Sequence, residues 1–198
     1  MGKGAETRER ILDTAFRMAA RDGLDGLSLG QLAAALGLSK SGLFAHFDSK
    51  QLLQIDLLRT AAEKFTAAVL LPAFRKPRGL PRLRAVFDGW LRWVADPSMP
   101  GGCLLHAAAT ELDDREGPVR DYLVATLREL NAAIAKAARL AVEEGHFRRG
   151  VDCEQFAFEM QAVLLAYNQH RRLFRDARSE RRAREAFERL IRSSSVQH

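Results

Sequence analysis

Cysteine is scarce: Cys103 and Cys153, 50 positions apart, are the chain's two thiols. That spacing fits neither a disulfide framework nor a zinc finger, so both are expected as free thiols. No run of about 18 apolar residues occurs, which excludes a membrane-spanning helix of ordinary length. The opening Met1-Gly2-Lys3-Gly4-Ala5-Glu6 leads into charged residues without an apolar signal core, so a cytoplasmic protein with no membrane partner is expected. Period-two alternation never coincides with β-branched enrichment, and no strand is predicted. Internal repeats of 20 to 50 residues and low-complexity linkers are missing too. Without a phosphate-cradling glycine loop, a metal-ligand cluster or triad-like spacing, no enzyme activity, metal or cofactor is expected.

What is present is a chain of 198 residues with 47% hydrophobic content, enough for one or two domains with real cores. The formal charge of +6 suggests an anionic partner, but its distribution does not point to the front of the chain. Residues 1 to 50 carry seven basic and six acidic side chains, a balance of +1. From His170 onward nine arginines face four acids, a balance of +5. The tail therefore reads as the solvated face of a terminal helix, and DNA binding has to be argued from elsewhere.

Glycine and proline cut the sequence into helical lengths. Ile11, Leu12, Ala15, Phe16 and Ala19 form one face of a first helix that should stop near Gly23. Ser28, with Gln31 three residues on, reads as a capping box opening a short second helix that Gly37 ends. Ser39 can cap a third helix, with Leu43 and Phe47 facing inward. Asp48 with Gln51 repeats the capping-box pattern before a fourth helix running toward Leu71. Later helices are expected at about 81 to 95, 103 to 111, 118 to 144, 152 to 173 and 179 to 192, with breaks at Asp96-Pro97 to Gly102, Asp113 to Gly117 and Gly145 to Asp152. The fold class is all-α. An N-terminal three-helix unit is joined to a larger helical body, with domains at 1-48 and 49-198.

Two short helices joined by a tight glycine-containing turn are the helix-turn-helix arrangement, whose second helix enters the major groove. With Leu38, Leu43 and Phe47 inward, the residues Lys40, Ser41, Gly42, Phe44, Ala45 and His46 cover the outer surface of the third helix. Lys40 suits a phosphate or a guanine edge, Ser41 can donate or accept, and Gly42 and Ala45 let the backbone lie close to the groove. Ser28 and Lys50 sit at the starts of the second and fourth helices, where amides and a positive dipole end favour phosphate. Taken singly, Ser28 and Ser39 are caps and His46 and Lys50 ordinary surface groups; the constellation is more specific than its members.

Gly37-Leu38-Ser39-Lys40-Ser41-Gly42-Leu43-Phe44-Ala45-His46-Phe47-Asp48-Ser49-Lys50 resembles the signature of the TetR family of regulators, and Arg10-Ile11-Leu12-Asp13-Thr14-Ala15 resembles the opening of that family's first helix. The close match covers roughly the first quarter of the chain. The resemblance implies a homodimer that binds a double-stranded operator and releases it when a small molecule enters the larger domain. It also places Ser28, Lys40, Phe44, His46 and Lys50 where relatives touch the DNA backbone, with Ser39 and Ser41 flanking the reading surface. Phe44 departs from the pattern, since the family commonly has a tyrosine whose hydroxyl meets a phosphate.

In residues 51 to 198, Phe87, Trp90, Leu91, Trp93 and Val94 give the fifth helix more apolar bulk than one stripe needs, enough for a core and a cavity wall. Candidate ligand-binding residues are Trp90, Cys103, His106, Thr110, Tyr122, Gln161 and Asn168. Cys103 and His106 at i, i+3 could also share a metal or general-base role, with Glu111 and Asp113 following, or Cys103 could be a redox sensor, but a buried cysteine is most often a small core residue. Phe156, Met160, Val163 and Tyr167 on one C-terminal helix, with Ala183, Phe187, Leu190 and Ile191 on the next, form apolar faces expected to pair with their twofold mates. The plainer reading packs the same faces inside one monomer. The leading function is a ligand-released transcriptional repressor; the rival is a helical protein-interaction adaptor that does not bind DNA.

Overall fold

The computed structural model describes residues 3–97 and 102–196; residues 98–101 of the expected break at Asp96-Pro97 to Gly102 lie outside these. All named elements among the described residues are helical. They are α1 (Lys3–Asp22), α2 (Leu29–Leu36), α3 (Lys40–Phe44), α4 (Lys50–Phe65), a π turn (Thr66–Leu70), α5 (Leu71–Phe74), α6 (Leu80–Ala95), α7 (Leu104–Leu112), α8 (Pro118–Glu143), α9 (Cys153–Arg172) and α10 (Ser179–Ser194). An isolated antiparallel bridge joins Phe147 to Ser195.

The fourth helix departs from expectation at both ends. Its start is capped by Ser49, whose Oγ accepts from Leu52 N at 3.1 Å, rather than by Asp48. At its far end the helical path continues through Pro72 to Phe74. Pro72 has no N–H and its ring would crowd the carbonyl four residues back, but it falls in the first turn of α5, directly after the π turn, where the ladder is already widened.

The chain divides into two compact units, Met1–Lys64 with Asp96–Thr126, and Phe65–Ala95 with Leu127–His198. In the first unit, the apolar stripe of α1 (Ile11, Ala15, Phe16, Ala19) is buried, as are Leu32 of α2, Leu43 of α3 and Leu53, Leu57 and Leu58 of α4. Arg8 pairs with Asp56 and lies over the Phe47 ring at 4.9 Å, tying α1 to α4 and to the segment that follows α3.

The loop between α1 and α2 is held from two sides. Gly23, left-handed at φ 86°, ends α1, and a Cβ there would lie 2.7 Å from Oε1 of Glu111. The Glu111 carboxylate accepts from Leu24 N at 3.2 Å and from Asp25 N at 2.8 Å. Arg115 pairs with the Asp25 side chain. From α4, Gln54 Nε2 donates to Leu24 O and Lys50 Nζ to Asp25 O, each at 3.2 Å.

The second unit has its own aromatic core. Trp90 meets Phe65 edge-on at 4.9 Å, the Tyr167 hydroxyl donates to Leu91 O at 3.4 Å, and Phe147 lies 5.1 Å from Phe156. Outside this core three arginines of α10 pair with nearby acids, and Glu188 of α10 takes an arginine from α6. Arg84 pairs with Glu188, Arg184 with Asp88 and Glu180, Arg181 with Glu185, and Arg182 with Asp176. These pairs fit the solvated-face reading of the tail.

Seven of the eight residues expected at a dimer contact turn inward instead. Phe156, Met160, Tyr167, Ala183, Phe187, Leu190 and Ile191 are buried within the single chain, and Val163 alone of the eight is half-buried. The physical reason is that α9 and α10 pack on each other and α9 on α6, so their apolar stripes are consumed in the monomer core. What α9 leaves exposed is a different face, with Phe158 at 66% and Leu165 at 44% exposure and Ala162 and Ala166 beside them.

Candidate nucleic-acid interface

The site is built from local capping. Ser28, in extended conformation, accepts from Gln31 N through its Oγ at 3.4 Å and starts α2. Gly37 closes α2 in left-handed geometry at φ 67°, with its N–H on Ala33 O and Ala34 O, while Leu38 N donates to Ala33 O at 2.9 Å. That reversal leads directly into Ser39, whose Oγ accepts from Gly42 N at 3.0 Å and lies 3.0 Å from Ser41 Oγ. The turn and the start of α3 are therefore set by bonds spanning two to five residues.

Leu43 and Phe47 bury themselves in the first unit, Phe47 just beyond the end of α3, and so rotate the rest of the segment outward. Lys40, Ser41 and Ala45 are exposed, Phe44 is 42% exposed, and Gly42 and His46 are half-covered. The stem of Lys40 passes over the start of α2, with its Cε 3.3 Å from where a Cβ on Gly30 would stand. Small residues, a cation, hydroxyls and one exposed ring are groups suited to a groove edge and its flanking phosphates. Lys50 is half-buried, its ammonium already donating to Asp25 O, which leaves two of its three N–H bonds for other acceptors.

The ligand candidates divide between the two units. Cys103, His106, Thr110 and Tyr122 belong to the first, and Trp90, Gln161 and Asn168 to the second. Trp90, Cys103 and His106 are buried, Tyr122 is half-buried under the Arg59 guanidinium at 5.8 Å, and Thr110 is exposed. Burial pushes the His106 imidazole down to about 4, so at neutral pH it carries no charge. Cys103 precedes α7, and its carbonyl accepts from His106 N at 3.0 Å. Glu111 does not join this pair as a third ligand, because its carboxylate is held by the loop amides of Leu24 and Asp25. Among the described residues no group of three or more His, Cys, Asp or Glu could hold a metal ion, and no helix is long and apolar enough to cross a membrane. Gln161 lines a groove between α8 and α9 with Asn131, Arg139, Glu154 and Phe158. A second groove, between α9 and α10, is lined by Val163, Ala166, Tyr167, His170 and Arg182 among others.

Sequence reasoning missed Glu111, Arg115 and Gln54 as neighbours of the helix-turn-helix. No local signal marks them, since Glu111 meets its partners 86 and 87 positions away in the chain.

Comparison with known proteins agrees with this geometry. The family described as bacterial regulatory proteins, tetR family, matches residues 11–55, and the tetracyclin repressor-like, C-terminal domain matches residues 79–187. The HTH-type transcriptional regulator AcrR of Shigella flexneri is 40% identical over 45 residues, which is 23% of this chain and 21% of that relative, so the chain matches about a fifth of its length. A TetR transcriptional regulator from Chloroflexus aurantiacus J-10-FL superposes with a TM-score of 0.86 at 26% identity, covering 97% of this chain and 96% of that one. The structure of AibR, solved in complex with isovaleryl coenzyme A and operator DNA, shares the fold at a TM-score of 0.71 and 24% identity, with coverage of 93% and 98%. With its helix-turn-helix matched at the front and more than half of its length matched behind, this protein belongs to the TetR family of transcriptional regulators.

Proposed function

We propose that the protein is a homodimeric, cytoplasmic repressor that binds a near-palindromic operator and releases it when a small molecule occupies its larger domain. The observation that carries this reading is the outward surface of α3, where Lys40, Ser41 and Phe44 stand exposed on a helix whose pose is set by the Ser39 cap. Residues 1–48 act as the DNA-binding domain and 49–198 as the ligand-binding and dimerisation domain. Ser28, Ser39, Lys40, Ser41, Gly42, Phe44, His46 and Lys50 make the DNA contacts. Supporting the ligand half of the proposal, AibR was solved with both an acyl coenzyme A and its operator.

The dimer contact uses the exposed face of α9. Phe158, Ala162, Leu165 and Ala166 recur at i, i+4, i+7 and i+8, one apolar stripe left uncovered by the single chain. A second copy meeting it about a twofold axis would give the assembly two α3 helices, the number that an operator of two half-sites requires.

Selection from random duplex DNA tests the reading. Enrichment of an inverted repeat, bound with a steep linear fall of log affinity against log salt, is expected. A protein that selects no DNA and shows no salt-dependent binding is the adaptor of the rival reading.

A further inference from the structure

The α1–α2 loop receives bonds at both the amides and the carbonyls of the same two residues, Leu24 and Asp25. Its carbonyls at Leu24 and Asp25 are taken by Gln54 and Lys50 of α4, and its amides at Leu24 and Asp25 by the single carboxylate of Glu111 at the end of α7. Arg115 adds a pair to the Asp25 side chain from just beyond α7. This loop runs directly into Leu27 and Ser28, the buried anchor and the N-cap of α2, so its position sets where α2 and α3 stand. Glu111 caps no helix of its own, and it accepts from two amides of a loop far away in sequence, each bond a charge-assisted one.

We propose that Glu111 is a positioning residue for DNA recognition: its carboxylate, clasping the Leu24 and Asp25 amides, locks the helix-turn-helix against α7 and thereby narrows the range of half-site spacings the dimer accepts. The inference rests on the dimeric operator-binding reading given above. In a twofold dimer two half-sites are read at once, so the freedom of each α3 decides how many spacings are tolerated. A clasp of two charge-assisted bonds at 3.2 and 2.8 Å on one loop holds the angle of approach. Without it, the Gln54 and Lys50 bonds still tie the loop to α4, so the three-helix head keeps its fold but gains freedom relative to α7.

The experiment begins with the operator selected by the unaltered protein, in which the number of base pairs between half-sites is then varied. The unaltered protein should prefer one spacing sharply. Glu111→Ala should bind that spacing about tenfold more weakly, the range over which residues coupling two sites commonly act. It should bind the neighbouring spacings nearly as well, with an unchanged salt slope because no phosphate contact is lost. Glu111→Gln, which keeps one acceptor oxygen, should fall between the two. A residue that serves stability alone would lower the melting temperature and leave the spacing profile untouched. If Glu111→Ala does not fold, Glu111→Gln carries the test by itself and should broaden the profile to a smaller degree. Variants with the sharp spacing preference of the parent overturn the clasp while leaving the operator reading intact. A parent protein that selects no inverted repeat overturns both.

Discussion

Phe87 and Phe187 stack face to face, their ring centroids 3.9 Å apart and their planes 9° from parallel. Both rings are buried, so α10 is pinned to α6 inside one chain by the residue that an amphipathic reading would assign to a dimer contact. Phe187→Ala should therefore remove core packing and destabilise the protein by about 3–5 kcal/mol. Urea unfolding measures it. A variant that keeps its stability but sediments as a monomer would return Phe187 to the interface.

The opposite pattern is expected on the outer face of α9. Phe158→Asp with Leu165→Asp changes side chains at 66% and 44% exposure, where substitutions cost the monomer about 0.5 kcal/mol or less. Buried between two copies, the unpaired carboxylates are far more costly. Sedimentation should show folded monomers with operator affinity lowered by orders of magnitude. A stable dimer of the double variant would move the contact to another surface.

Lys40 and Lys50 should separate by their second readout. Lys40→Ala removes an exposed cation, and the slope of log affinity against log salt should shrink by about one unit with the melting temperature unchanged. Lys50→Ala also removes the bond to Asp25 O, so it should lower the melting temperature as well as the slope. Equal melting temperatures for the two variants would show that the Lys50 bond carries no stability.

Phe44→Tyr should tighten operator binding. The ring is exposed on the reading surface, and an added hydroxyl reaching a phosphate contributes about 0.5–1.5 kcal/mol, a gain of about 2- to 12-fold. Weaker binding by the tyrosine variant, in a filter or fluorescence titration, would mean that the ring edge points away from the backbone.

His106 gives stability a pH dependence. Its folded pKa is lowered from 6.5 to about 4 by burial, so between those values the unfolded chain binds a proton that the folded chain refuses. The neutral-imidazole stability is fully present above pH 6.5 and drains away as pH falls toward 4, by an amount on the order of 3 kcal/mol across the window. Denaturant unfolding at pH 7 and pH 5 should show the loss, and His106→Leu should flatten it. The same slope in both proteins would assign the acid limb to other groups.

The elements written into the sequence are those whose causes are short-ranged. Ser28, Gly37 and Ser39 place the helix-turn-helix because each cap is satisfied by backbone groups within a few residues, and nothing distant can easily override that geometry. The same holds for the outward set Lys40, Ser41 and Phe44, which follows from the inward pull of Leu43 and Phe47 over one turn. The cap of α4 was less legible, since Asp48 and Ser49 are adjacent and both can accept an amide; only the fold chose Ser49.

Tertiary structure decided what periodicity leaves open. An apolar stripe on α9 or α10 has the same pattern whether it meets its own chain or a second copy, because burial lowers the free energy in either place. Phe187 turns inward onto a parallel ring supplied by Phe87, a hundred residues earlier. The Glu111 clasp was equally hidden. A carboxylate near the end of a helix looks solvated in sequence, and the amides of Leu24 and Asp25 have no residue-specific signature, so their meeting exists only once α7 and the α1–α2 loop are packed together.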